Sequence, residues 1–346
     1  MKTIITLLAL AIALGLSGQN IIVVDNNPGA AADYTSLTDA VNAAEAGDFI
    51  YIVPSSDSYG NFVIEKELHI RGLGHLPLGT NGLSSRVGSL TFQNDCGNSS
   101  VSGLRGNGFG SFTNTSGFND NVIVSNCRMT SMGVGGNNWV VEGNIIDNTA
   151  GNVSALSVND HENATIHHNY IRQLSGSAST AAIRNAPEST LEFNNIYVLD
   201  EGRLMWNCIN LEIQNSIILS LEDGDNLTFQ SSTGWSFNNC LSYNYNGFTV
   251  PLTSGDNNLV DTDPQFENIQ NDSPLFSYSN NYTPAAGSPL IGAGSDGDNI
   301  GIYNDNFDFD QRGHAIDLPY ITTLDILNPS VEEGEDLEIE FSAFGN

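Results

Sequence analysis

Basic side chains are scarce in this sequence, which has 10 lysine and arginine residues against 40 aspartate and glutamate residues. The formal net charge is −30 at pH 7, and after residue 260 Arg312 is the single basic residue. A surface of this kind repels nucleic acid and anionic lipid, so we expect no nucleic-acid partner. It also disfavours polyanionic sugars unless a cation such as Ca²⁺ bridges the two charges.

Long apolar runs are scarce too. The one that stands out follows Met1-Lys2, covers residues 4–16 and precedes Ser17-Gly18-Gln19. This pattern is typical of a secretory signal peptide, here residues 1–18 with cleavage near Gly18. The run is too short for a comfortable membrane span, and no other segment comes close. We therefore expect an exported protein with no membrane span.

What the sequence does contain is a repeat. Eight five-residue segments have mainly apolar first and third positions and Asn, Gly or His at the fifth, and they begin at residues 68, 99, 122, 139, 164, 191, 211 and 235. Short alternating strands that recur at this spacing predict a stacked β-solenoid with a shared core. Asn and Gly suit a left-handed, strand-ending bend. The alternative, a β-sandwich, predicts no shared Asn/Gly column.

Cysteine is limited to four residues, which the repeat keeps apart. Cys127 and Cys240 share one column but lie five coils apart, roughly 24 Å at strand spacing. Cys96 and Cys208 share another column and are further apart still. A disulfide needs Cα atoms within roughly 7 Å, so we expect four buried free thiols.

Both ends of the chain predict closing elements. Leu37, Ala40, Val41 and Ala44 fall on one helical face before a strand at residues 49–53, which predicts an N-terminal capping helix. Residues 306–320 are interpreted as an acidic linker. Residues 321–346 are interpreted as a C-terminal β-hairpin that covers the end of the stack, with a loosely attached tail as the alternative. The solenoid itself would cover residues 19–305.

The opening of the chain resembles the right-handed parallel β-helices of the pectin lyase-like superfamily. Residues 34–41 match its capping-helix pattern, residues 47–53 match G-D-x-I-x-V, and Pro54 follows. Residues 263–266, 286–294 and 298–303 are similar to secreted bacterial members. The resemblance implies an all-β, right-handed parallel β-helix, and it leaves the activity open because the superfamily contains lyases, hydrolases, esterases and non-catalytic adhesins. The paired aspartates and Gly-His-Gly of polygalacturonases and the aspartate pair with arginine of pectinesterases are absent, and the repeats contain no lysine.

Positions two and four of each segment point outward from a solenoid, so their polar residues should share one face. These are Glu142, His167, Glu192, Asn194, Glu212 and Gln214. Glu192 and Glu212 would lie on adjacent coils, roughly 4.8 Å apart. Carboxylates that close predict either a catalytic acid/base pair or a calcium site, and a solvated polar face is the third alternative. Glu142, Asn194 and Gln214 would bind substrate.

A second candidate group surrounds the strand at residue 164. The resemblance implies that a lyase would need a cation or acid to neutralise a uronate and a Lys, Arg, His or Tyr as base. His161, with Arg172 or Arg184, could fill these roles, and His167 lies beside them in sequence. The alternative for His168 is a purely structural role, as a bend residue that replaces Asn. The acidic loops at 296–298 and 305–310 lack the EF-hand order, and the default interpretation is a solvated loop.

These observations favour a secreted, monomeric β-helix protein that recognises an extracellular polysaccharide along its exposed strand face. If it is an enzyme, it would be a polysaccharide lyase or a glycoside hydrolase. The alternative is a non-catalytic surface or adhesive solenoid. No cofactor is required by any motif, and calcium is the ion that the carboxylate pair would bind.

Overall fold

The computed structural model describes residues 19–76, 82–110, 119–149, 152–159, 161–174, 180–199, 202–221, 228–269, 276–315, 320–328 and 336–344. The signal peptide predicted over residues 1–18 lies outside these ranges. No helix within them is long and apolar enough to cross a membrane.

Three parallel sheets wrap around one apolar core, which confirms the parallel β-helix. Sheet A has ten strands: β1 (Ile21–Val24), β2 (Asp48–Ile52), β4 (Leu68–Gly72), β6 (Ser100–Ser102), β8 (Ile123–Ser125), β11 (Val140–Glu142), β14 (Thr165–His167), β17 (Thr190–Glu192), β20 (Glu212–Gln214) and β23 (Ser236–Asn238). Sheet B, which follows sheet A in each coil, has six: β9 (Arg128–Met129), β12 (Ile145–Asn148), β15 (Tyr170–Gln173), β18 (Asn195–Val198), β21 (Ile217–Ser220) and β24 (Leu241–Asn244). Sheet C has eight: β3 (Phe62–Lys66), β5 (Leu90–Asp95), β7 (Gly108–Gly110), β10 (Ser131–Gly133), β13 (Leu156–Ser157), β16 (Ile183–Arg184), β19 (Arg203–Trp206) and β22 (Thr228–Gln230).

The corner between sheets A and B explains the repeat. Its first residue has the left-handed backbone that the Asn/Gly column predicted, with φ between +46° and +63° at Asn126, Gly143, His168, Phe193, Asn215 and Asn239. The next residue turns inward and forms a second column that the sequence did not separate from the first. There the side-chain oxygen of Asn169 accepts from the backbone N of Asn144 at 3.0 Å, and that of Asn194 accepts from the backbone N of Asn169 at 2.9 Å. This buried ladder hydrogen-bonds successive coils at the turn.

One register prediction is wrong. Leu191 pairs with Ile166 and Ile213, so the segment predicted to begin at residue 191 begins at residue 189. The misleading residue is Phe193, which occupies the left-handed corner usually filled by Asn. Its ring stacks on His168 with centroids 4.9 Å apart, and this packing offsets the cost of the left-handed backbone.

The N-terminal cap is as predicted. Helix α1 (Leu37–Ala43) begins after Ser36, whose side chain accepts from the backbone N of Asp39. Leu37, Ala40 and Val41 are buried against the first coils. At the other end of the helix, Nζ of Lys66 donates to the carbonyl oxygen of Ala44 at 2.6 Å, which satisfies an orphaned helix carbonyl.

The chain beyond the last coil folds back along the outside of sheet B. Residues 276–315, here called the returning segment, bury a second apolar cluster against the outward side chains of that sheet. Tyr282, Leu290 and Ile302 from the segment pack there against Tyr170, Tyr197 and Ile217, and all six are 1% exposed or less. Within the stretch predicted as an acidic linker, residues 306–320, the side chains of Phe309, His314 and Ala315 are buried. A short antiparallel pair, β25 (Phe266–Asn268) and β26 (Asn281–Pro284), leads into it.

The hairpin β27 (Tyr320–Ile326) and β28 (Ile339–Phe344) forms as predicted. It was expected to cover the end of the solenoid, yet the side chains described at 325–327 and 336–343 are all exposed, including Phe341 at 62%.

The four cysteines are buried and free, as predicted. Burial raises the pKa of Cys96, Cys127 and Cys240 to about 12.

Candidate functional site

A row of arginines lies in line with the start of sheet B in the first coils, close to the corner of that sheet with sheet C. Arg86 bridges to Arg105 and Arg105 bridges to Arg128, both in parallel register, so the three follow one another on successive coils. The corner is short there: Thr130 alone separates β9 from β10, whereas residues 149–155 separate β12 from β13. The short corner leaves an open groove of about 430 Å³. Its lining is Ser58, Arg86, Val87, Gly88, Arg105, Gly106, Asn107, Arg128, Met129, Thr130, Asp147 and Thr149.

The arginine row carries unneutralised charge. Arg86 and Arg105 are exposed, and in the described part of the chain neither guanidinium has a hydrogen-bonding or ion-pair partner. Asp147, at the far end of the groove, is 9% exposed and pairs with Nη2 of Arg128 at 3.1 Å and with Nε of Arg172 at 2.5 Å. The Arg172 contact is an ion pair whose N–H is not aimed at the carboxylate oxygen. The carboxylate of Asp147 is therefore shared by two guanidinium groups, those of Arg128 and Arg172, and is paired with neither Arg86 nor Arg105.

Arg128 is the one arginine of the row that is held in place. Its guanidinium lies 4.8 Å from the ring centroid of Phe276 and 5.1 Å from that of Tyr278, both on the returning segment. Burial works against its charge, but Tyr278 and Asp147 more than offset that effect and raise the pKa of Arg128. The Tyr278 hydroxyl lies 2.9 Å from Nδ1 of the buried His75. Burial, opposed by Asp310 and reinforced by Arg128 and Arg105, lowers the pKa of His75 to about 3, so this ring stays neutral.

Such a groove suits an extended polyanion. Guanidinium groups bind carboxylates and sulfates through paired N–H donors in a fixed plane. Coils stack roughly 4.7–4.9 Å apart, so the row offers one cationic fork per coil. Like charges at that spacing destabilise each other until an anion lies between them.

The polar face predicted on sheet A is partly assembled. Glu142, His167 and Glu192 occupy one outward row on successive coils, and Nε2 of His167 lies 3.1 Å from Oε2 of Glu142. Nδ1 of His167 lies 2.8 Å from Nδ1 of His168. His168 is the corner residue and is sandwiched between Phe193 and Phe307. Its bland interpretation, a bend residue in place of Asn, fits this packing.

The structure does not bring the predicted carboxylate pair together, and it buries one of the predicted substrate-binding residues. Glu192 lies opposite Gln214, and Glu212 lies opposite Thr190, so the two carboxylates are not on facing positions and the proposed calcium site loses its basis. Oε1 of Glu212 instead accepts from Nδ2 of Asn238 at 3.0 Å. Among the residues that the structure describes, no cluster of three His, Cys, Asp or Glu side chains could hold a metal ion. Asn194 is fully buried in the inner ladder and cannot meet a ligand on this face.

The second predicted group is not assembled. Arg172 is on sheet B, Arg184 is on sheet C, and His161 lies in the loop before β14. Arg172 is paired with Asp147, and the guanidinium of Arg184 lies 4.3 Å from the Trp206 ring. The acidic loop at 296–298 is tied to its own chain, since Asp298 accepts from the backbone N of Asp305 and of Asn299.

Sequence reasoning missed the whole arginine row, the carboxylate of Asp147 and the wall formed by Phe276 and Tyr278. A signal was present for two members of the row, because Arg105 and Arg128 each lie two residues after the fifth position of a repeat segment. The column lies in line with sheet B, outside the repeat segments that form sheet A.

Comparisons with known proteins add little beyond the fold. Neither the family models nor the curated proteins gave a match. Among solved structures, the chain is similar to pectate lyase Pel9A at 12% sequence identity, with 84% of this chain and 98% of that chain covered and a TM-score of 0.34. Identity and TM-score are both too low to transfer an activity.

Proposed function

We propose that this protein binds an acidic extracellular polysaccharide along the row formed by Arg86, Arg105 and Arg128. The observation that carries the proposal is that two of these guanidinium groups have no partner among the described residues, in a protein with a net charge of −30. Unpaired like charges in a row cost stability, and proteins retain such features where they serve binding.

The spacing of the row fits a polymer with a charge on every sugar. One guanidinium per coil, roughly 4.8 Å apart, is comparable to the length of one sugar unit. Three consecutive uronate units, lying parallel to the solenoid axis, would each meet one arginine. Direct arginine contacts also replace the bridging cation that an acidic surface would otherwise need.

Charge elsewhere on the molecule confines the ligand to this groove. Acidic residues outnumber basic ones four to one, so a polyanion is repelled from most of the surface. Secretion is part of the proposal, because such a polymer is met outside the cell.

The groove favours binding over bond cleavage. Within the described residues, its lining contains no histidine, lysine or tyrosine, and its single carboxylate, Asp147, is paired with Arg128 and Arg172. The described lining therefore has no second carboxylate to form an acid/base pair for hydrolysis, and arginine is the one residue type there that could act as a base for elimination. We propose a binding protein rather than a lyase or hydrolase.

The proposal is tested by titrating polygalacturonate, alginate and the neutral polymer dextran into the wild type and into Arg86→Gln, Arg105→Gln and Arg184→Gln. The Arg184 variant removes the same charge from sheet C and is the matched control. We expect binding of the acidic polymers alone, and about a tenfold loss for each variant within the row, as for one charge-assisted hydrogen bond. Equal loss in the control would contradict the assignment, and release of unsaturated or reducing ends would contradict a purely binding role.

A further inference from the structure

Arg128 is fixed by residues that are distant in sequence. Phe276 and Tyr278 lie beside its guanidinium, and Asp147 pairs with it from the next coil. Arg86 and Arg105 have no such support. The row therefore combines one fixed cation with two that have no partner among the described residues.

Tyr278 is itself fixed. Its hydroxyl lies within hydrogen-bonding distance of Nδ1 of His75, at 2.9 Å, and its ring centroid lies 5.1 Å from the guanidinium of Arg128. The backbone N of His75 donates to the carbonyl oxygen of Arg312, and the side chain of Arg312 donates to the carbonyl oxygen of Leu76. The returning segment thus contacts the first coils at two of its points, near residues 278 and 312.

We propose that Tyr278 is a positioning residue for polyanion binding, and that the returning segment is therefore part of the binding site. The inference rests on the proposed function of the arginine row. A guanidinium fixed before the ligand arrives loses less conformational freedom on binding. Tyr278 supplies that order through a cation–π contact, and the bond between its hydroxyl and His75 holds the ring in place. Both contacts exist only when the returning segment is docked.

Docking of the returning segment and binding of the polyanion must be coupled in both directions. If docking of the segment orders Arg128 for binding, a bound polyanion must in turn stabilise the docked segment by the same factor. Ligand occupancy would then protect a surface that includes His75 and Arg312, neither of which lines the groove.

The test compares the wild type with Tyr278→Leu, Tyr278→Phe and Tyr282→Phe. The last is a buried tyrosine of the same segment whose hydroxyl bonds Asn280, and it controls for general disturbance. Each folded protein, checked by thermal melting, is treated with phenylglyoxal, and the modification rate of each arginine is read by peptide mass spectrometry. Affinity for a linear trimer of galacturonate is measured in parallel.

In the wild type we expect Arg86 and Arg105 to react quickly and Arg128 slowly. Tyr278→Leu should speed modification of Arg128 about tenfold and weaken trimer binding about tenfold, the loss expected for one partly desolvated cation–π contact. Tyr278→Phe keeps the ring, so its Arg128 modification rate and its trimer affinity should lie between those of the wild type and Tyr278→Leu. Tyr282→Phe should match the wild type in both measurements.

Three results would overturn the inference: unprotected Arg128 in the wild type, an Arg128 rate unchanged by Tyr278→Leu, or freed Arg128 with unchanged affinity. If Arg128 were freed without a change in affinity, but Arg105→Gln still weakened binding, the proposed function would stand and only the role of Tyr278 would be wrong. A wild type that binds no acidic polymer would end the proposed function and this role of Tyr278 together, even with Arg128 protected.

Discussion

At the scale of single residues, the molecule keeps some groups in states that cost stability and offsets that cost by packing. His168 takes a left-handed backbone, and its buried ring remains neutral between two phenylalanine rings. Arg86 and Arg105 carry unpaired charge one coil apart. Asn169 is a fully buried residue whose side-chain amide bonds four other residues of the coils. Each state predicts a different response to mutation.

Arg105→Gln should raise stability in the absence of ligand. The change removes repulsion from both neighbouring arginines, for a gain of about 0.2–1 kcal/mol, reduced towards the lower figure by solvent at this exposed position. Urea unfolding at low salt measures the effect. A variant less stable than the wild type would show that Arg105 has a structural partner and is not held free for a ligand.

Asn169→Ala should destabilise the fold by about 3 kcal/mol. The amide donates to the carbonyl oxygens of Val141 and His167 at 2.8 and 2.9 Å and accepts from the backbone N of Asn144, so truncation leaves buried groups unpaired. Urea denaturation provides the number. Asn42→Ala, at an exposed position of α1, is the control and should lie within about 0.5 kcal/mol of the wild type.

His168→Asn should change the dependence of stability on pH. Burial, with help from the charge of His167, lowers the folded pKa of His168 to about 3, below the ordinary 6.5. Below pH 6.5 the unfolded chain binds a proton that the native ring does not. His168 therefore lowers the free energy of unfolding of the wild type by about 1.4 kcal/mol for each pH unit below 6.5. At pH 8 the variant should be less stable than the wild type, because it lacks the ring stacking. This deficit in the free energy of unfolding should shrink as the pH falls towards 4. A deficit independent of pH would contradict the neutral buried ring.

At the scale of elements, the returning segment and the C-terminal hairpin differ although both follow the solenoid. The first covers outward tyrosines, leucines and isoleucines of sheet B, whereas the described side chains of the second are exposed. Burial of one such side chain contributes about 1.5–3 kcal/mol, so loss of the segment would cost several times that.

Two truncations separate these elements. A chain that ends at residue 319 should unfold within about 0.5 kcal/mol of the full chain, as expected when only surface is lost. A chain that ends at residue 262 should aggregate or fail to fold, because the outer face of sheet B becomes exposed. Sedimentation and urea unfolding distinguish the outcomes. A clear loss of stability in the longer chain would mean that the hairpin does pack on the solenoid.

At the scale of the whole molecule, the returning segment ties distant coils together. It bonds Asn239 through Ala293, Asn215 through Ser295, Asn126 through His314 and His75 through Arg312. Solenoids are otherwise stabilised mainly between neighbouring repeats. These long-range bonds give this one a cooperativity that a simple stack lacks, and they join the end of the chain to the groove at its beginning.

The fold could be predicted from sequence because it depends on a local column. A left-handed bend favours Asn or Gly in any surroundings, so seven of the eight segment starts are correct. The eighth failed at Phe193, where tertiary stacking overrides the local preference. The site could not be predicted in the same way. Tyr278 reaches Arg128 only because the chain returns along sheet B, and no local pattern encodes that contact.

The most direct test of the central claim is the salt dependence of polygalacturonate binding. An arginine row that displaces counterions from the polymer gives an affinity that falls linearly with log salt concentration. We predict that the slope decreases by about one for each arginine removed in Arg105→Gln and in the Arg86→Gln, Arg105→Gln double variant, while Arg184→Gln keeps the wild-type slope. Identical slopes in all four proteins would mean that the polymer does not bind along the row.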